Sequence, residues 1–519
     1  CFGDGALKLS AVVETESEVR TSGDLPEGWS AATLGEIGDY LNGRAFKASE
    51  WSKSGRPIIR IQDLTGSKSK PNFFKGRAEK RYVVLPGDFL ISWAATLGAY
   101  IWLGPEGVLN QHIFKVHSKI DHKFHYYLAN RILEELYQHT HGSGMVHITK
   151  GRFDNISVPI PPLAEQKRIV AKIKTLLARV NAARERLAKM PVILKRFRQA
   201  VLAAACSGRL TEDWHKQHSS VMHADEIVES IKRRKMHEIG AKKAEKVLEI
   251  YKYQEENNSE KLPPTWRYMT LDKLVRSFDY GTSAKSNPTG KVPVLRMGNI
   301  QNGRIDWSDL MYTSNPSEIK KYLLKPGTVL FNRTNSPELV GKTAIYRGEQ
   351  PAIFAGYLIR VNNEPELNPE YLNCCLNTDY AREYCMTVKT DGVSQSNINA
   401  QKLAKFEIPF CSPEEQQEIV RRVDALYKLA DTIEKRVAAA TIQADRLTQA
   451  ILAKAFRGEL VPTEAELARH EGRGYETAAQ LLHRIKSERV AITESKPPGA
   501  VSTAQRAGRS PSPNPARSP

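Results

Sequence analysis

Glu165-Gln166-Lys167-Arg168-Ile169-Val170, followed by Gln199-Ala200-Val201-Leu202-Ala203 and Gly208-Arg209-Leu210, recurs 250 residues later as Glu415-Gln416-Gln417-Glu418-Ile419-Val420, Gln449-Ala450-Ile451-Leu452-Ala453 and Gly458-Glu459-Leu460. Between these marks the first copy carries Ile169, Ile173, Leu176, Val180, Ala183, Leu187, Met190, Leu194, Phe197 and Val201 at alternating spacings of four and three. The second carries Ile419, Val423, Leu426, Ala430, Ile433, Val437, Ala440, Ala444, Leu447 and Ile451 at the same spacings. This is the a/d rhythm of a coiled coil, because apolar side chains three and four apart share one face of an α-helix. Gly208 and Gly458 stand just beyond as stop signals. Each helix therefore has about 40 residues and runs roughly 60 Å at 1.5 Å per residue. Pro191 removes a ladder hydrogen bond and predicts a kink near residues 187–191. One such stripe could dock on its own domain. Two in-phase stripes favour pairing with each other, and the chain between them is long enough for an antiparallel pair.

The repeat extends outward from the helices. Leu25-Pro26-x-x-Trp29-x-x-x-Thr33-Leu34 returns as Leu262-Pro263-x-x-Trp266-x-x-x-Thr270-Leu271, Pro57-Ile58-Ile59-Arg60 as Pro293-Val294-Leu295-Arg296, Pro86-Gly87-x-x-Leu90 as Pro326-Gly327-x-x-Leu330, and Val158-Pro159 as Ile408-Pro409. These parts drift in length and mix short apolar β runs (57–61, 89–93, 108–116, 292–297, 328–332, 352–361) with Gly, Asn, Ser and Lys loops. A short helix near 124–138 has its counterpart near 369–386. The fold class is α+β: two similar globular domains joined by two long helices that pair as a coiled coil, expected antiparallel on the resemblance given below, with an internal pseudo-twofold repeat. The boundaries are 1–24, an N-terminal extension; 25–160, the first domain; 161–210, the first helical spacer; 211–261, a charged helical linker; 262–410, the second domain; 411–460, the second spacer; 461–492, a C-terminal helical segment; and 493–519, a disordered Pro/Ser/Arg tail. Within the linker, helices are expected over 225–239 and 242–255, and Ile227, Val228 and Ile231 match Leu481, Leu482 and Ile485 in the C-terminal segment.

Composition names a partner class. The 519 residues hold 76 Lys and Arg against 58 Asp and Glu, a formal net charge of +18. The tail contributes only Lys496, Arg506, Arg509 and Arg517, so most of the excess sits on the body, as in proteins that bind polyanions such as nucleic acid. No apolar run is long enough to span a bilayer. The six cysteines form no C-x-x-C pair and read as reduced thiols, which suits the cytoplasm. The start, Cys1-Phe2-Gly3-Asp4-Gly5, has neither Met nor a secretory apolar stretch, and reads as a truncated or wrongly assigned beginning.

Catalytic signatures are sought and not found. Gly341-Lys342-Thr343 lacks the upstream glycine of a phosphate loop, because position 336 is Ser336. Asn368-Pro369-Glu370-Tyr371 departs from the adenine-methyltransferase box at its third position, and reads as a helix start with Pro at N1. Seven histidines (His112, His117, His122, His125, His139, His141 and His147) crowd one stretch without Cys partners, and read as surface and packing residues rather than a metal site.

This arrangement, with the Leu-Pro-x-x-Trp openings, the segment 159–166 ending in Glu-Gln and the Ala-rich helix ends closing on Gly-x-Leu, resembles the specificity subunit of type I restriction–modification enzymes over residues 25–489. The resemblance implies two target recognition domains, each reading one half of a bipartite asymmetric site on double-stranded DNA, and paired helices that set the gap and dock two methyltransferase subunits. It implies that S-adenosylmethionine, ATP and Mg belong to the methyltransferase and restriction/motor subunits, with no cofactor, catalytic residue or metal on this chain. The alternative is an architectural DNA- or RNA-binding protein with two basic domains on a coiled coil and no enzyme partners; a stand-alone methyltransferase or nuclease is a third class.

Two loop pairs are the best candidates for DNA contact. The first is 42–47, with Arg44 and Lys47, and 281–287, with Lys285 and Ser286. The second is 142–150, with Ser143, His147, Thr149 and Lys150, and 391–397, with Ser394, Gln395 and Asn397. Their small residues suit a close backbone approach to a ligand. Arg60, Gln62, Arg296, Asn299, Arg333 and Asn335 complete the set, since Arg suits guanine and Asn or Gln adenine.

Overall fold

The computed structural model describes residues 25–67, 70–139, 149–218, 220–238, 241–252, 262–393 and 395–494. The chain divides into two compact units, residues 1–185 with 441–519, and residues 186–440. Two long helices, α1 (Leu163–Cys206) and α2 (Pro413–Phe456), each contribute one half to each unit. Pro191 lies inside α1 without ending it.

In the first unit, Ser30–Thr33 pairs antiparallel with Ser157–Ile160, so the domain opens and closes on one ribbon. A four-stranded antiparallel sheet follows in the order Gly38–Asn42, Ile113–Ser118, Phe89–Ser92, Gly98–Ile101. A second sheet orders Asn72–Phe74, Arg56–Ile59, Gly107–Leu109, Val83–Val84, with a parallel pair at its centre. The helix His122–His139 covers the first sheet. Its Phe124 meets Phe456 of α2, and Leu128 shares a core with Ile169, Ile173 and Val180 of α1 and Ala444, Ile451 and Leu452 of α2. His125 is sealed in this core between the Tyr40 hydroxyl (2.8 Å) and the Ser118 hydroxyl (2.9 Å), and burial pushes its pKa down to about 3.

The second unit repeats this plan. Arg267–Thr270 pairs with Glu407–Phe410, and the main sheet runs Val275–Tyr280, Leu358–Asn363, Thr328–Asn332, Thr343–Tyr346. The second sheet is Met311–Thr313, Val292–Leu295, Ile353–Phe354, again with one parallel pair. The expected continuous runs 108–116 and 352–361 are each broken in two, at Asn110–His112 and at Ala355–Tyr357. In both units a tight turn carries the chain from the second sheet to the first (Ile113 N–H to Asn110 O, 3.2 Å; Leu358 N–H to Ala355 O, 2.9 Å), which an apolar run alone does not signal. The helix expected near 369–386 is two, Pro369–Leu376 and Asp379–Val388, because the Thr378 hydroxyl caps a new start by accepting from Ala381 N–H.

The helices pair antiparallel in each unit. In the first, Arg184 reaches Asp445 (2.6 Å), while Arg168 near the start of α1 meets Glu464 beyond the end of α2. In the second, Arg198 bonds Asp431 (2.9 Å) and Glu434 (2.8 Å), and Arg422 clamps Asp213 and the Leu210 carbonyl. Of the expected seam, Ile169, Ile173, Val180, Leu194, Ile419 and Val423 are buried, and Leu176, Leu187, Leu426, Ile433 and Val437 are half-buried. Leu447 is a correction: it is 45% exposed. The last turns of α2 bury Ile451, Leu452, Ala455 and Phe456 toward the Phe124 helix, which rotates Leu447 to the far edge of the stripe. The two readings of the stripe are both realised, because α1 and α2 pair and their ends also enter domain cores.

The segment expected to be a charged linker is packed. Its helix Ala224–Glu238 buries Ile227, Val228 and Ile231 beside Trp266. In the first unit Ala478–Glu494 does the same with Leu481 and Ile485. The match is detailed: Ala224 N–H donates to Thr265 O and Ala478 N–H to Gly28 O, both at 2.9 Å. A further helix, Ala241–Lys252, follows in the second unit. No helix among the described residues is long and apolar enough to cross a membrane.

One joint explains the repeated motifs. The Trp29 indole donates to Glu165 (2.9 Å) and the Trp266 indole to Glu415 (2.8 Å), with both carboxylates fully buried. The other Glu165 oxygen accepts Glu464 N–H and the other Glu415 oxygen the Thr211 hydroxyl. Burial pushes the Glu165 carboxyl above its usual range, against the pull of those donors. Gln166 and Gln416 accept from Asp121 N–H (2.9 Å) and Asn368 N–H (2.7 Å), each at the start of a domain helix. Gly208 and Gly458 have φ of +76° and +77°, and a Cβ would lie 2.4 Å from Pro263 Cγ and 2.5 Å from Pro26 Cγ. Thus the glycine ending each helix seats against the Leu-Pro-x-x-Trp motif of the other repeat.

Candidate nucleic-acid interface

The main sheet of each unit ends in loops that carry the candidate residues. Gly43 and Gly281 follow its first strand, and each presses on the chain itself. A Cβ on Gly43 would lie 2.1 Å from Asn110 O, and one on Gly281 2.3 Å from Phe354 O. The expectation that these glycines serve approach to a ligand is corrected, because they let the loop pack against the neighbouring strand.

Several candidates are held by their own unit. The Arg44 guanidinium forms a two-pronged pair with Glu50 (2.7 and 3.2 Å) and lies 3.9 Å over the Phe46 ring. Asn299 is buried, accepting from Arg296 N–H and donating to Asp306 O and Asp309 O, so it fixes its turn and is not available as a base reader in this arrangement. Arg296 pairs with Asp309 (3.1 Å). Lys150 pairs with Asp154 (2.6 Å), and Thr149 precedes that short helix. Arg60 lies 4.4 Å over Trp51, itself 42% exposed, with Gln62 exposed beside it. Lys47 and Lys285 are exposed, Ser286 is half-buried, and Lys285 has no ion-pair partner among the described residues. Ser143, His147 and Ser394 lie outside the described residues.

The second unit draws the remaining candidates together. Thr334–Asn335 pairs with Ser396–Asn397, which pairs with Thr390–Asp391. The Lys389 ammonium and the Ser396 hydroxyl, both bonded to Asp391, hold that carboxyl below its usual range and fix the hairpin. Arg333 lies 4.7 Å over the Tyr280 ring and donates to Asn397 Oδ1 (3.2 Å) and Gly356 O (3.4 Å). Asn397 in turn donates to the Thr334 hydroxyl (2.8 Å). Exposed Gln395 sits at the hairpin tip, and exposed Tyr357 flanks Arg333, whose N–H donates to Tyr357 O (2.9 Å).

Three positions of this cluster have topological equivalents in the first unit. Tyr280 corresponds to Asn42 at the end of the first strand, Arg333 to Trp93 after the third, and Tyr357 to His112 before the second. The backbone bond repeats, since Trp93 N–H donates to His112 O (3.3 Å). The side chains meet in both units: the Trp93 indole donates to Asn42 Oδ1 (3.0 Å) and lies 5.3 Å from the His112 ring. Asn42 opens the candidate loop 42–47, whereas Trp93, His112, Tyr280 and Tyr357 were missed by sequence reasoning, which weighed polar loops and passed over aromatic residues beside them. One frame thus presents Asn-Trp-His in one unit and Tyr-Arg-Tyr in the other, a surface built to stack on and hydrogen-bond different ligand edges.

Comparison with known proteins follows the repeat. The family model described as "Type I restriction modification DNA specificity domain" matches residues 26–189 and again 263–441. The EcoBI specificity subunit of Escherichia coli is 30% identical over 478 residues, covering 90% of this chain and 93% of that protein. The EcoKI specificity subunit of Escherichia coli strain K12 is 29% identical over 501 residues, covering 91% and 97%. A chain from a solved type I restriction–modification assembly superposes with a TM-score of 0.59 at 20% identity, covering 84% of this chain and 99% of that one, a likeness of fold. Matched once in each half and along nearly its whole length, the chain belongs to the type I restriction–modification DNA specificity family.

Proposed function

We propose that this chain is the non-catalytic, DNA-reading subunit of a cytoplasmic type I restriction–modification complex. Each recognition domain, 25–160 and 262–410, reads one half of a bipartite asymmetric site on double-stranded DNA. The paired helices, 161–210 and 411–460, set the gap and dock two methyltransferase subunits, directing adenine methylation and, with motor subunits, ATP-dependent restriction. S-adenosylmethionine, ATP and Mg belong to those partners.

The observation that carries the reading is the contrast inside the repeat. The Trp–Glu–Gly joint is the same in both units, while the triad, half-buried at Trp93 and Arg333 and exposed at its other four positions, changes from Asn42-Trp93-His112 to Tyr280-Arg333-Tyr357. Identical mounting with different presented chemistry suits two unlike half-sites, because base identity is read at groove edges by hydrogen bonds and apolar contacts. Arg333, Asn335 and Gln395 are the proposed readers in the second unit, with Asn397 proposed to hold Arg333 and the hairpin, and Lys285 on phosphate. In the first unit Gln62, Lys47, Ser143, His147, Thr149 and Lys150 remain proposed contacts, and Arg44 is proposed to act by holding its loop.

The test is selection of duplexes from a random pool by the chain purified with its methyltransferase subunits. The expected result is two short fixed elements at one constant separation. An enriched pool with a single element, or none, contradicts the proposal.

A further inference from the structure

Five arginines lie over aromatic rings among the described residues. Three of them also have an acid: Arg44 pairs with Glu50, Arg81 with Glu79 and Arg360 with Asp279. The other two, Arg60 over Trp51 in the first unit (4.4 Å) and Arg333 over Tyr280 in the second (4.7 Å), have no acidic side chain within ion-pair reach among the described residues. Both are half-buried. A cation taken partly out of water without an anion is unfavourable in the free protein, and becomes favourable when a ligand brings acceptors to it.

The two do not stand at equivalent places. Arg60 follows Arg56–Ile59 of the second sheet, whereas Arg333 follows Thr328–Asn332 of the main sheet. Arg60 corresponds to Arg296, since Arg56–Ile59 and Val292–Leu295 hold the same place in the two second sheets. Ser52 bridges Phe73 as Asn287 bridges Tyr312, so Trp51 corresponds to Ser286. In the second unit, then, the ring is missing and Arg296 is paired with Asp309 (3.1 Å). At the other position the first unit has Trp93 in place of Arg333. Each unit keeps one stacked, unpaired arginine, each from a different sheet.

Arg60 also lies beside the triad. Ile59 O accepts Asn110 N–H (3.2 Å), and exposed His112 stands two residues beyond Asn110. Trp51 is anchored by its indole, which donates to Phe46 O (3.3 Å). The Arg60 Nε is buried without a partner, so the two terminal nitrogens are the pair left to donate. A guanidinium held over a ring loses less freedom on binding, and its two-pronged edge matches O6 and N7 of guanine.

We infer that Arg60, positioned by Trp51, reads a guanine in the half-site of the first unit, so that the two units read their half-sites from different sheets. The inference rests on the proposed DNA-specificity role, and gives the first unit a reader and a base.

The experiment repeats the duplex selection with the methyltransferase-bound complex carrying Arg60→Ala, Arg60→Lys, Trp51→Ala or Trp51→Phe. Arg81→Ala is the control, an exposed stacked arginine that has its acid. The wild-type complex is expected to fix a G·C pair in the element that Arg333→Ala leaves intact. Arg60→Ala should free that one position, lower affinity for the selected duplex about ten- to a hundredfold, and change random duplex by less than about fivefold. Arg60→Lys keeps the charge without the planar fork, and should weaken the guanine preference while holding random duplex. Trp51→Ala should blur the same position with a loss of about tenfold, and Trp51→Phe should restore it. Arg81→Ala should alter neither element. Enrichment of the same bases with Arg60→Ala, equal loss on selected and random duplex, or a change in the same element that Arg333→Ala alters overturns the inference. A fixed base that survives Trp51→Ala at full affinity overturns the positioning role. A wild-type complex that enriches no sequence contradicts the specificity reading itself, and Arg60 falls with it as a reader.

Discussion

The joint and the triad sit in the same domains and have drifted by different rules. At the joint, Trp29, Glu165 and Gly458 of one unit superimpose in role on Trp266, Glu415 and Gly208 of the other, down to indole–carboxylate distances of 2.9 and 2.8 Å. At the triad, equivalent positions hold Asn42, Trp93 and His112 in one unit and Tyr280, Arg333 and Tyr357 in the other. A buried carboxylate with two fixed donors tolerates no substitute, whereas an exposed side chain can change with little effect on stability. The difference separates what holds the domain from what the domain presents.

The comparison breaks first at the joint. Trp266→Ala removes a fully buried ring and orphans Glu415, and is expected to cost about 3–5 kcal/mol, read from the denaturant midpoint; Trp29→Ala should cost as much. A difference of more than about 2 kcal/mol between them would show that the joints are not equivalent. His125 provides the next test, and one that the second unit lacks. Its pKa in the fold is about 3, while the unfolded chain titrates near its ordinary value, so the unfolded state binds the extra proton as pH falls below about 6.5. Stability should fall by about 1.4 kcal/mol per pH unit between about pH 6 and 4 on that account, and His125→Gln should flatten the curve in this window. A curve as steep in the variant contradicts a neutral buried imidazole.

Gly208→Ala combines a φ of +76° with a Cβ 2.4 Å from Pro263, and should cost clearly more than Gly66→Ala, at φ +71° with nothing within 4 Å, for which about 1 kcal/mol is expected. Equal thermal shifts would remove the packing role of Gly208. Arg333→Ala should cost about 1–3 kcal/mol on the selected duplex and relax one base position, while Lys285→Ala should weaken all duplexes alike and lower the salt slope by about one. Equal loss on selected and random DNA for Arg333→Ala removes it as a base reader.

The helices, the repeat and the core faces were legible because 3.5-residue periodicity survives over whole heptads, whereas the antiparallel order came with the family resemblance. Family membership was legible from Glu165-Gln166 and Glu415-Gln416 with the Leu-Pro-x-x-Trp openings. The packed role of Ala224–Glu238 was half legible: the match of Ile227 and Ile231 to Leu481 and Ile485 was visible, but a charged exposed face disguised a buried one. The site was least legible. Arg44 and Asn299 look like base readers in a loop sequence, yet Glu50 and two backbone carbonyls occupy them. The triad joins positions 42, 93 and 112, and 280, 333 and 357, through sheet pairing that no local pattern encodes.

The central claim is that one chain reads two unlike half-sites at a fixed separation. Single-molecule mapping of adenine methylation, in cells expressing this chain with its neighbouring methyltransferase, tests it directly. The account predicts one split motif with a constant gap of unspecified bases, absent when the chain is deleted and altered in one half only when Arg333 is replaced. Methylation that is absent with both proteins expressed and folded, or that follows an unsplit motif, would contradict it.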